Sequence, residues 1–259
     1  MTDHVMCTYN LLAAGRNEDE LSIFEEPLCN SGIWRFWKNR RENVAAALRG
    51  VAICGVCEVT EHMLGYIAES QPRLKVAKFA KKLNAYDGSA VLYNSDLFEC
   101  VQSTSFPLDP RRSHVFVAAR LKEIATGSHI WVVMLHLKAD SLHASMEHVR
   151  VRQSEAALRS LRALIPHDRI RSHPVVVLGD LNTDDSCARE GTLLRFRSVG
   201  FKHVSTNQPT YKHFFNATFD YILYRNFHVL KSWVPDSPAP CPNDLQGSDH
   251  LPVYATFRV

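Results

Sequence analysis

The stretch VVVLGDLNTDDS, residues 175 to 186, joins an apolar run to a dense group of polar side chains. Its aliphatic residues, Val175 to Leu178, predict a buried strand. Asp180 and Asn182 follow directly, with two further aspartates behind them. A buried strand that runs into carboxylate and amide groups places them at the edge of a sheet, where a hard cation or a phosphate can bind.

Further apolar runs along the chain predict more strands, and two amphipathic stretches predict helices. The other strand-like runs are VMCTYNLLA, VAICGVCEV, SAVLYN, VFVAARLKE, HIWVVMLHL, FDYILYR and LPVYATFRV. The helical stretches are WRFWKNRRENVAAALRG and SMEHVRVRQSEAALRSLRALI. No Gly/Ser linker, repeat or low-complexity segment divides these elements, so we expect one domain over residues 1–259, with loops at 15–32 and 234–248.

Composition limits the function less than it limits the fold. A chain of 259 residues with 46% hydrophobic residues can bury a sizeable core. The formal charge of +3, from 30 basic and 27 acidic residues, is too small to indicate nucleic-acid binding. Any binding of a polyanion must therefore depend on a local group of residues.

The cysteines predict a reducing compartment, the cytoplasm or the nucleus. There are seven, an odd number, scattered along a chain too large to need disulfides. Cys54 and Cys57 form a C-x-x-C inside an apolar strand, which favours buried core thiols over redox or metal chemistry. The first residues lack a signal-peptide pattern, and no run reaches the ~18 apolar residues of a membrane span. We therefore expect an intracellular protein with no membrane partner.

Polar residues that suit a cation or a phosphate recur at the ends of the predicted strands. They are Asn10, Glu58, His136, Asp180, Asn182, Asp220, Asp249 and His250. If these ends converge, the carboxylates suit Mg²⁺, the histidines can stabilise a phosphate, and an aspartate can activate water. A single Asp or Asn at a strand end is more often a turn or a cap, and we assign Asp184, Asp185 and Ser186 to capping a helix predicted in REGTLLRFRSVG.

Seven motifs in order carry a family resemblance across nearly the whole chain. They are TYNLLA, CEV, DGSAVLYN, HLKA, GDLNTD, TFDYIL and SDHLPV. Together they resemble the endonuclease/exonuclease/phosphatase superfamily. Several of the stretches resemble its nocturnin/Angel branch of deadenylase-like enzymes. They are YNLLA, WKNRRENV, DGSAVLY and HLKA, the last with EHVRVRQ downstream. The resemblance implies an α/β fold, a two-layered β-sandwich flanked by helices, with the site at one end of the sheets.

The resemblance also implies a role for each strand-end residue. Glu58 is the expected main ligand of Mg²⁺, for which Mn²⁺ can substitute, and Asn10 lies close to the metal and the scissile phosphate. Asp180 orients or activates the attacking water, and Asn182 helps to hold it. His136 and His250 stabilise the phosphoryl oxygens, and Asp220 supports them. Asp249 either orients His250 or contributes to a second metal position. One departure is Cys57, where the family usually has Gln, so the support of Glu58 must differ.

Two further residues are candidates for substrate binding. Lys138 stands two residues after His136, so on a strand it would face the same side and contact a phosphate, although it could equally be a solvated charge. Tyr211 stands shortly before Asp220 and could line the substrate cleft.

The deadenylase-like motifs favour an RNA exonuclease that removes nucleotides from a 3′ end. One alternative is a phosphatase or phosphodiesterase for small nucleotides with a 2′-phosphate, a 2′,5′ linkage or a cyclic phosphate. The other is a nucleic-acid-binding module without catalysis. We expect a bare catalytic module with no recruitment domain before Asn10, binding RNA or a nucleotide, with protein partners unspecified.

Overall fold

The computed structural model describes residues 3–13, 36–109, 113–140, 145–165, 172–184, 191–238 and 240–258. Over these ranges, two six-stranded sheets pack face to face. The first sheet has the order β13 (His228–Trp233), β14 (Val253–Arg258), β1 (His4–Asn10), β2 (Ile53–Val59), β4 (Gly88–Asn94) and β3 (Leu74–Lys81). The second has the order β5 (Phe98–Pro107), β6 (Val115–Glu123), β7 (His129–His136), β8 (Val175–Asp180), β12 (Asp220–Arg225) and β9 (Lys202–His203).

Each sheet has one parallel pair of strands at its centre and antiparallel neighbours outside. In the first sheet β1 pairs in parallel with β2, and in the second β7 pairs in parallel with β8. Parallel neighbours end at the same edge of a sheet. The last residues of these four strands therefore lie in two adjacent pairs, and this arrangement builds the site.

The main core lies between the two sheets and is built from the inward-facing aliphatic residues of both. Gly55 on β2 shows how closely they pack, because a Cβ there would lie 2.6 Å from the Met134 sulfur of the opposite sheet. Interdigitated aliphatic side chains at this spacing make the sandwich a rigid support for groups at its rim.

Helices cover the outer face of each sheet. Helices α1 (Trp37–Ala47) and α2 (Glu61–Ser70) pack on the first sheet through a second apolar cluster that includes Trp37 and Met63. Helices α3 (Glu147–Leu164) and α4 (Thr192–Arg197) cover the second sheet through a third cluster that includes Leu161 and Phe196. The predicted two-layered sandwich flanked by helices is confirmed, as are the three predicted helices, which correspond to α1, α3 and α4.

All eight predicted strands are present, and residues 234–248 form a loop where the structure describes them. The loop predicted at 15–32 lies outside the described residues. The capping prediction is wrong: the N-cap of α4 is Gly191, and the Thr192 amide donates to Glu147 at 2.5 Å. Asp184 lies seven positions before that cap, and Asp185 and Ser186 fall outside the described residues.

The C-x-x-C residues are core thiols, as predicted. Cys57 faces the core between the sheets, whereas Cys54 faces the helical side, so their sulfurs lie on opposite faces of β2. Among the described residues, every helix is too short or too polar to span a membrane.

Candidate active site

The site is built where the two parallel strand pairs end. Asn10 is the last residue of β1, and Glu58 lies at the end of β2. His136 and Asp180 are the last residues of β7 and β8, and they are direct neighbours in the register of that pair. Because the sheets pack face to face, the two pairs meet at one end of the sandwich.

Asn10 joins the two sheets through its side-chain amide. Its Nδ2 donates to Glu58 Oε1 at 3.0 Å and to Asp180 Oδ2 at 3.1 Å, while its Oδ1 accepts from the Leu12 amide. The side chain is buried, so these bonds are shielded from water. One amide therefore fixes the spacing between two carboxylates that belong to different sheets.

The backbone at Glu58 explains how this side chain reaches the site. Glu58 is the extra residue of a β-bulge between β2 and β4, and its φ is 50°. A bulge of this kind changes the direction of a side chain and is common beside active sites. A left-handed backbone at a non-glycine residue costs about 1 to 3 kcal/mol, which the surrounding structure must supply. The position of Glu58 is thus a strained feature of the fold.

Glu58 is supported by groups other than the residue before it. Its Oε2 accepts from the Ala13 amide at 3.2 Å, in addition to the bond from Asn10. Cys57 points into the core, where burial raises the pKa of its thiol well above the usual range and keeps it neutral. The departure noted at Cys57 is therefore accommodated by hydrogen bonds from the loop after β1.

His250 and Asp220 form a buried pair on the other side of Asp180. Asp220 is the first residue of β12 and lies opposite Asp180 in the register of β8 and β12. His250 Nδ1 is 2.7 Å from Asp220 Oδ2, and its Nε2 is 3.8 Å from Asp180 Oδ2. Burial opposes the charged imidazole, but Asp220 and Asp180 outweigh it and raise the pKa of His250 well above its ordinary value. Nδ1 therefore donates to Asp220, and Nε2 presents a proton to the site.

Asp180 is the most strongly perturbed carboxyl of the group. Burial raises its pKa to about 7, with the charge of Asp220 acting in the same direction and His250 against it. Its other oxygen, Oδ1, accepts from the Asn182 amide at 2.9 Å. A Cβ at Gly179 would lie 2.1 Å from the Leu135 carbonyl oxygen, so only glycine allows β7 and β8 to approach this closely beside Asp180.

Asn182 lies beyond the end of the strand that carries Asp180. Strand β8 ends at Asp180, and Asn182 has a φ of 51°, a conformation that Asn adopts more readily than most residues. Its side-chain nitrogen donates to the Leu137 carbonyl at 3.0 Å. Asn182 thus ties the segment after β8 to the segment after β7.

His136 lies between the two carboxylates. Its Nε2 is 3.9 Å from Glu58 Oε1 and 3.8 Å from Asp180 Oδ2. Burial, with the charges of Lys82 and His114 in the same direction, lowers its pKa well below the ordinary value. His136 is therefore neutral and His250 charged, which gives the two site histidines different hydrogen-bonding capacities.

The remaining predicted residues are Lys138, Asp249 and Tyr211. Lys138 is exposed beyond the end of β7, and its charge acts on His136. The carboxylate of Asp249 accepts from Ser248 Oγ at 3.2 Å, and burial raises its pKa, with Glu58 acting in the same direction. The Tyr211 ring lies 5.1 Å from the His250 ring. The roles assigned to these residues remain predictions.

The sequence did not predict two pairs of polar side chains beside the site. Lys82 Nζ is 2.5 Å from Asp87 Oδ2, and the charges of Glu58 and Asp87 raise the pKa of Lys82 although burial opposes this. His114 Nδ1 is 3.3 Å from Asp109 Oδ2, and its ring is 6.2 Å from that of His136. The motif DGSAVLYN includes Asp87 and was a usable signal, whereas nothing in the local sequence marks Asp109 or His114.

The residues present fit a divalent metal ion. Ligand atoms of Asp180, Asp220 and His250 all lie within 4.8 Å of one another, and Asp220 Oδ1 is buried with no hydrogen-bond partner among the described residues. Glu58 lies next to this group, because the side-chain amide of Asn10 donates to both Glu58 and Asp180. Crowded, buried carboxylates repel one another, and a cation relieves that repulsion. A donor set dominated by carboxylate oxygens suits Mg²⁺ or Mn²⁺.

Comparison with known proteins shows the family and the fold. Residues 7–250 match the model of the Endonuclease/Exonuclease/phosphatase family. The fold is similar to the human Nocturnin catalytic domain with bound sulfate (TM-score 0.75, 19% identity, covering 99% of this chain and 93% of that one). It is also similar to ANGEL2, a 2′,3′-cyclic phosphatase (TM-score 0.78, 16% identity, covering 98% of this chain and 95% of that one). A third similar structure is a mannosyl-6-phosphatase of Bacteroides thetaiotaomicron (TM-score 0.76, 18% identity, covering 99% of this chain and 100% of that one). A search of curated proteins finds no significant match.

Proposed function

The chain belongs to the endonuclease/exonuclease/phosphatase family of phosphoester hydrolases, and we propose that it is a Mg²⁺-dependent phosphodiesterase that removes nucleotides from the 3′ end of RNA, as a deadenylase does. The observation that carries the proposal is the bridge that Asn10 makes between Glu58 and Asp180. That bridge holds a candidate metal ligand and a candidate base at a fixed spacing, with one histidine on each side.

The metal would be held on the Glu58 side of the bridge rather than by His250. His250 Nδ1 is bonded to Asp220, and a charged imidazole offers no lone pair to a metal, so His250 is a poor ligand. Glu58 would hold the ion, with Asn10 and Asp249 close to it. The bound ion supplies neutralisation of the phosphate charge and stabilisation of the leaving oxygen.

The protein groups divide the remaining work. Asp180 accepts a proton from the attacking water, which Asn182 helps to position. His250, held in one orientation by Asp220, donates from Nε2 to a phosphoryl oxygen as negative charge develops there. His136, which is neutral, completes the contacts to the phosphate from the opposite side. Lys138 at the rim supplies a further positive charge for the substrate.

Aromatic residues beside His250 favour a nucleotide substrate. The hairpin of β10 (Tyr211–Lys212) and β11 (Asn216–Ala217) places Tyr211 against the His250 ring. At its tip, Phe214 and Phe215 are 55% and 58% exposed. Exposed aromatic rings beside a phosphate site are the usual means of stacking unpaired RNA bases. They support RNA over a substrate that has no base.

The other candidates differ in what they require of the site. A binding module without catalysis has no need of the Glu58, Asp180 and His250 set, which is complete here. A phosphatase for small nucleotides needs the same set, so only product analysis separates it from the exonuclease.

The test is a panel of substrates incubated with the purified protein and Mg²⁺ or EDTA. The panel holds 5′-labelled oligo(A), a 2′,5′-oligoadenylate, a nucleoside 2′,3′-cyclic phosphate, a 2′-phosphorylated dinucleotide and mannose 6-phosphate. We expect Mg²⁺-dependent shortening of oligo(A) from its 3′ end, with AMP as the product. Hydrolysis of a small nucleotide without shortening of oligo(A) would replace the exonuclease by the phosphatase.

A further inference from the structure

An open groove of about 840 Å³ lies beside the catalytic centre, along one side of the sandwich. Strands β3 and β5 are the outermost strands of their sheets on this side. The groove runs between the loop that joins β3 to β4 and the end of β5, and its lining includes Lys81, Lys82, Tyr86, Ser105, Phe106 and Val115. Strands β2 and β7, which carry the site residues Glu58 and His136, lie two positions further into their sheets than β3 and β5.

Two residues that line the groove lie next to the catalytic centre. Lys82 lies on the floor of the groove, largely buried, and the charge of Glu58 acts on its ammonium group. Val115 directly follows His114, whose ring contacts that of His136. For a substrate whose phosphate binds beside Glu58 and His136, this groove is therefore a neighbouring surface on the same side of the sandwich.

The lining combines aromatic surface with positive charge. Tyr86 and Phe106 are 42% and 36% exposed, although large apolar and aromatic side chains are usually covered. Lys81 lies 5.7 Å from the Tyr86 ring centroid, and Lys82 is the next residue. Two flat rings and the exposed ammonium group of Lys81, with the Asp87-bonded ammonium group of Lys82 next to it, match the base and the phosphate of a nucleotide.

We propose that this groove binds a second nucleotide of the substrate, next to the one whose phosphate is attacked, with its base against Tyr86 and Phe106 and its phosphate near Lys81 and Lys82. The inference rests on the proposed function and deepens it, because the substrate must then contain at least two linked nucleotides. A small ester that fills only the catalytic centre would gain nothing from the groove.

Binding tests the groove independently of turnover. Fluorescence anisotropy with fluorescein-labelled penta-adenylate is measured in EDTA on the wild-type protein, on the double variant Tyr86→Ala/Phe106→Ala and on Lys81→Ala. We expect the double variant to bind about tenfold or more weakly, as loss of base stacking does elsewhere. Tyr86→Trp should retain wild-type affinity, and Lys75→Ala, which removes an exposed lysine from the same strand, should have no effect.

Activity provides the second readout. The kcat/KM for penta-adenylate should fall in the double variant, while that for bis(p-nitrophenyl) phosphate should stay within about twofold, because this ester needs only the catalytic centre. Unchanged affinity for penta-adenylate in the double variant would overturn the groove proposal. So would displacement of the probe by mannose 6-phosphate but not by the dinucleoside phosphate ApA. If the wild-type protein hydrolyses none of these esters, the proposed function fails, and the anisotropy result still decides the groove.

Discussion

Asp220 Oδ2 lies 2.7 Å from His250 Nδ1, and this pair is buried next to Asp180. The register of the second sheet creates the arrangement, because Asp220 begins the strand that runs antiparallel to β8 and lies directly opposite Asp180. His250 approaches from the segment before β14, which belongs to the other sheet. The pair therefore depends on correct packing of the two sheets.

Replacing Asp220 by Asn should lower kcat on the order of 10²-fold, with little change in KM. The amide keeps the size of the side chain but does not stabilise a charged imidazole, so His250 loses both orientation and proton. Steady-state kinetics on oligo(A) would measure this. Asp96→Asn, on an exposed surface, is the control. Equal kcat for Asp220→Asn and wild type would show that His250 works without its partner.

Replacing Glu58 by Gln should abolish most of the Mg²⁺-dependent activity while the fold survives. The amide oxygen can still accept from the Ala13 amide, but the charge that attracts the cation is lost, and we expect a loss on the order of 10²-fold or more. The measurements are kcat/KM across a Mg²⁺ titration and the melting temperature. Glu61→Gln, an exposed change at the start of α2, should behave as wild type. Full activity of Glu58→Gln at saturating Mg²⁺ would remove Glu58 from the metal site.

Arg40 is a buried residue whose loss should affect the site from a distance. Its guanidinium donates to the carbonyls of Leu11, Leu12 and Gly247, and so joins the loop after Asn10 to the segment before His250. Arg40→Lys cannot make this set of bonds, and we expect the free energy of unfolding to fall by about 2 to 4 kcal/mol. Urea unfolding would measure it.

The exposed Arg49→Lys serves as the control for Arg40→Lys and should change stability by less than about 0.5 kcal/mol. If Arg40→Lys proved as stable as this control, the three carbonyls would not depend on the guanidinium.

Stability should depend on pH through His114. Burial, with the charge of Lys82 in the same direction, lowers its pKa from 6.5 to about 4, against the opposing effect of Asp109. The unfolded chain therefore binds a proton near pH 6.5 that the folded chain refuses. The contribution of neutral His114 to the free energy of unfolding is complete above that pH. It declines as the pH falls towards 4, by at most about 3 kcal/mol.

Urea unfolding of wild type and His114→Gln at pH 7, 5.5 and 4.5 isolates this term. The free energy of unfolding of wild type, relative to that of His114→Gln, should decrease steadily as the pH falls. A difference that is the same at all three pH values would mean that His114 does not carry the effect.

The sequence was most informative about the central strands. Runs such as VVVLGDL are buried on both faces, so hydrophobicity alone marks them. Edge strands escaped prediction for the opposite reason. Strand β5 has the sequence FECVQSTSFP and is largely exposed, and three of the eight residues of β3 are lysines. Helix α2 was missed as well, although Thr60 caps it by accepting from the Met63 amide.

The site was predictable wherever polar residues follow an apolar run directly. Asn10, Glu58, His136 and Asp180 are of this kind. The hydrogen bonds between them were not, because Asn10 and Asp180 are separated by 170 positions and meet only when the sheets pack. The bulge that directs Glu58 and the left-handed backbone at Asn182 depend on the same packing, which local propensity does not encode.

We propose that Asp180 acts as the base in a metal-dependent hydrolysis at the 3′ end of RNA. The most direct measurement is single-turnover cleavage of 5′-labelled oligo(A) in Mg²⁺ by wild type and by Asp180→Asn, with the exposed Asp184→Asn from the same loop as the matched control. We expect stepwise shortening by wild type, a rate on the order of 10²-fold lower or worse for Asp180→Asn, and less than about tenfold loss for Asp184→Asn. Equal rates for Asp180→Asn and wild type, with both proteins folded, would contradict the account.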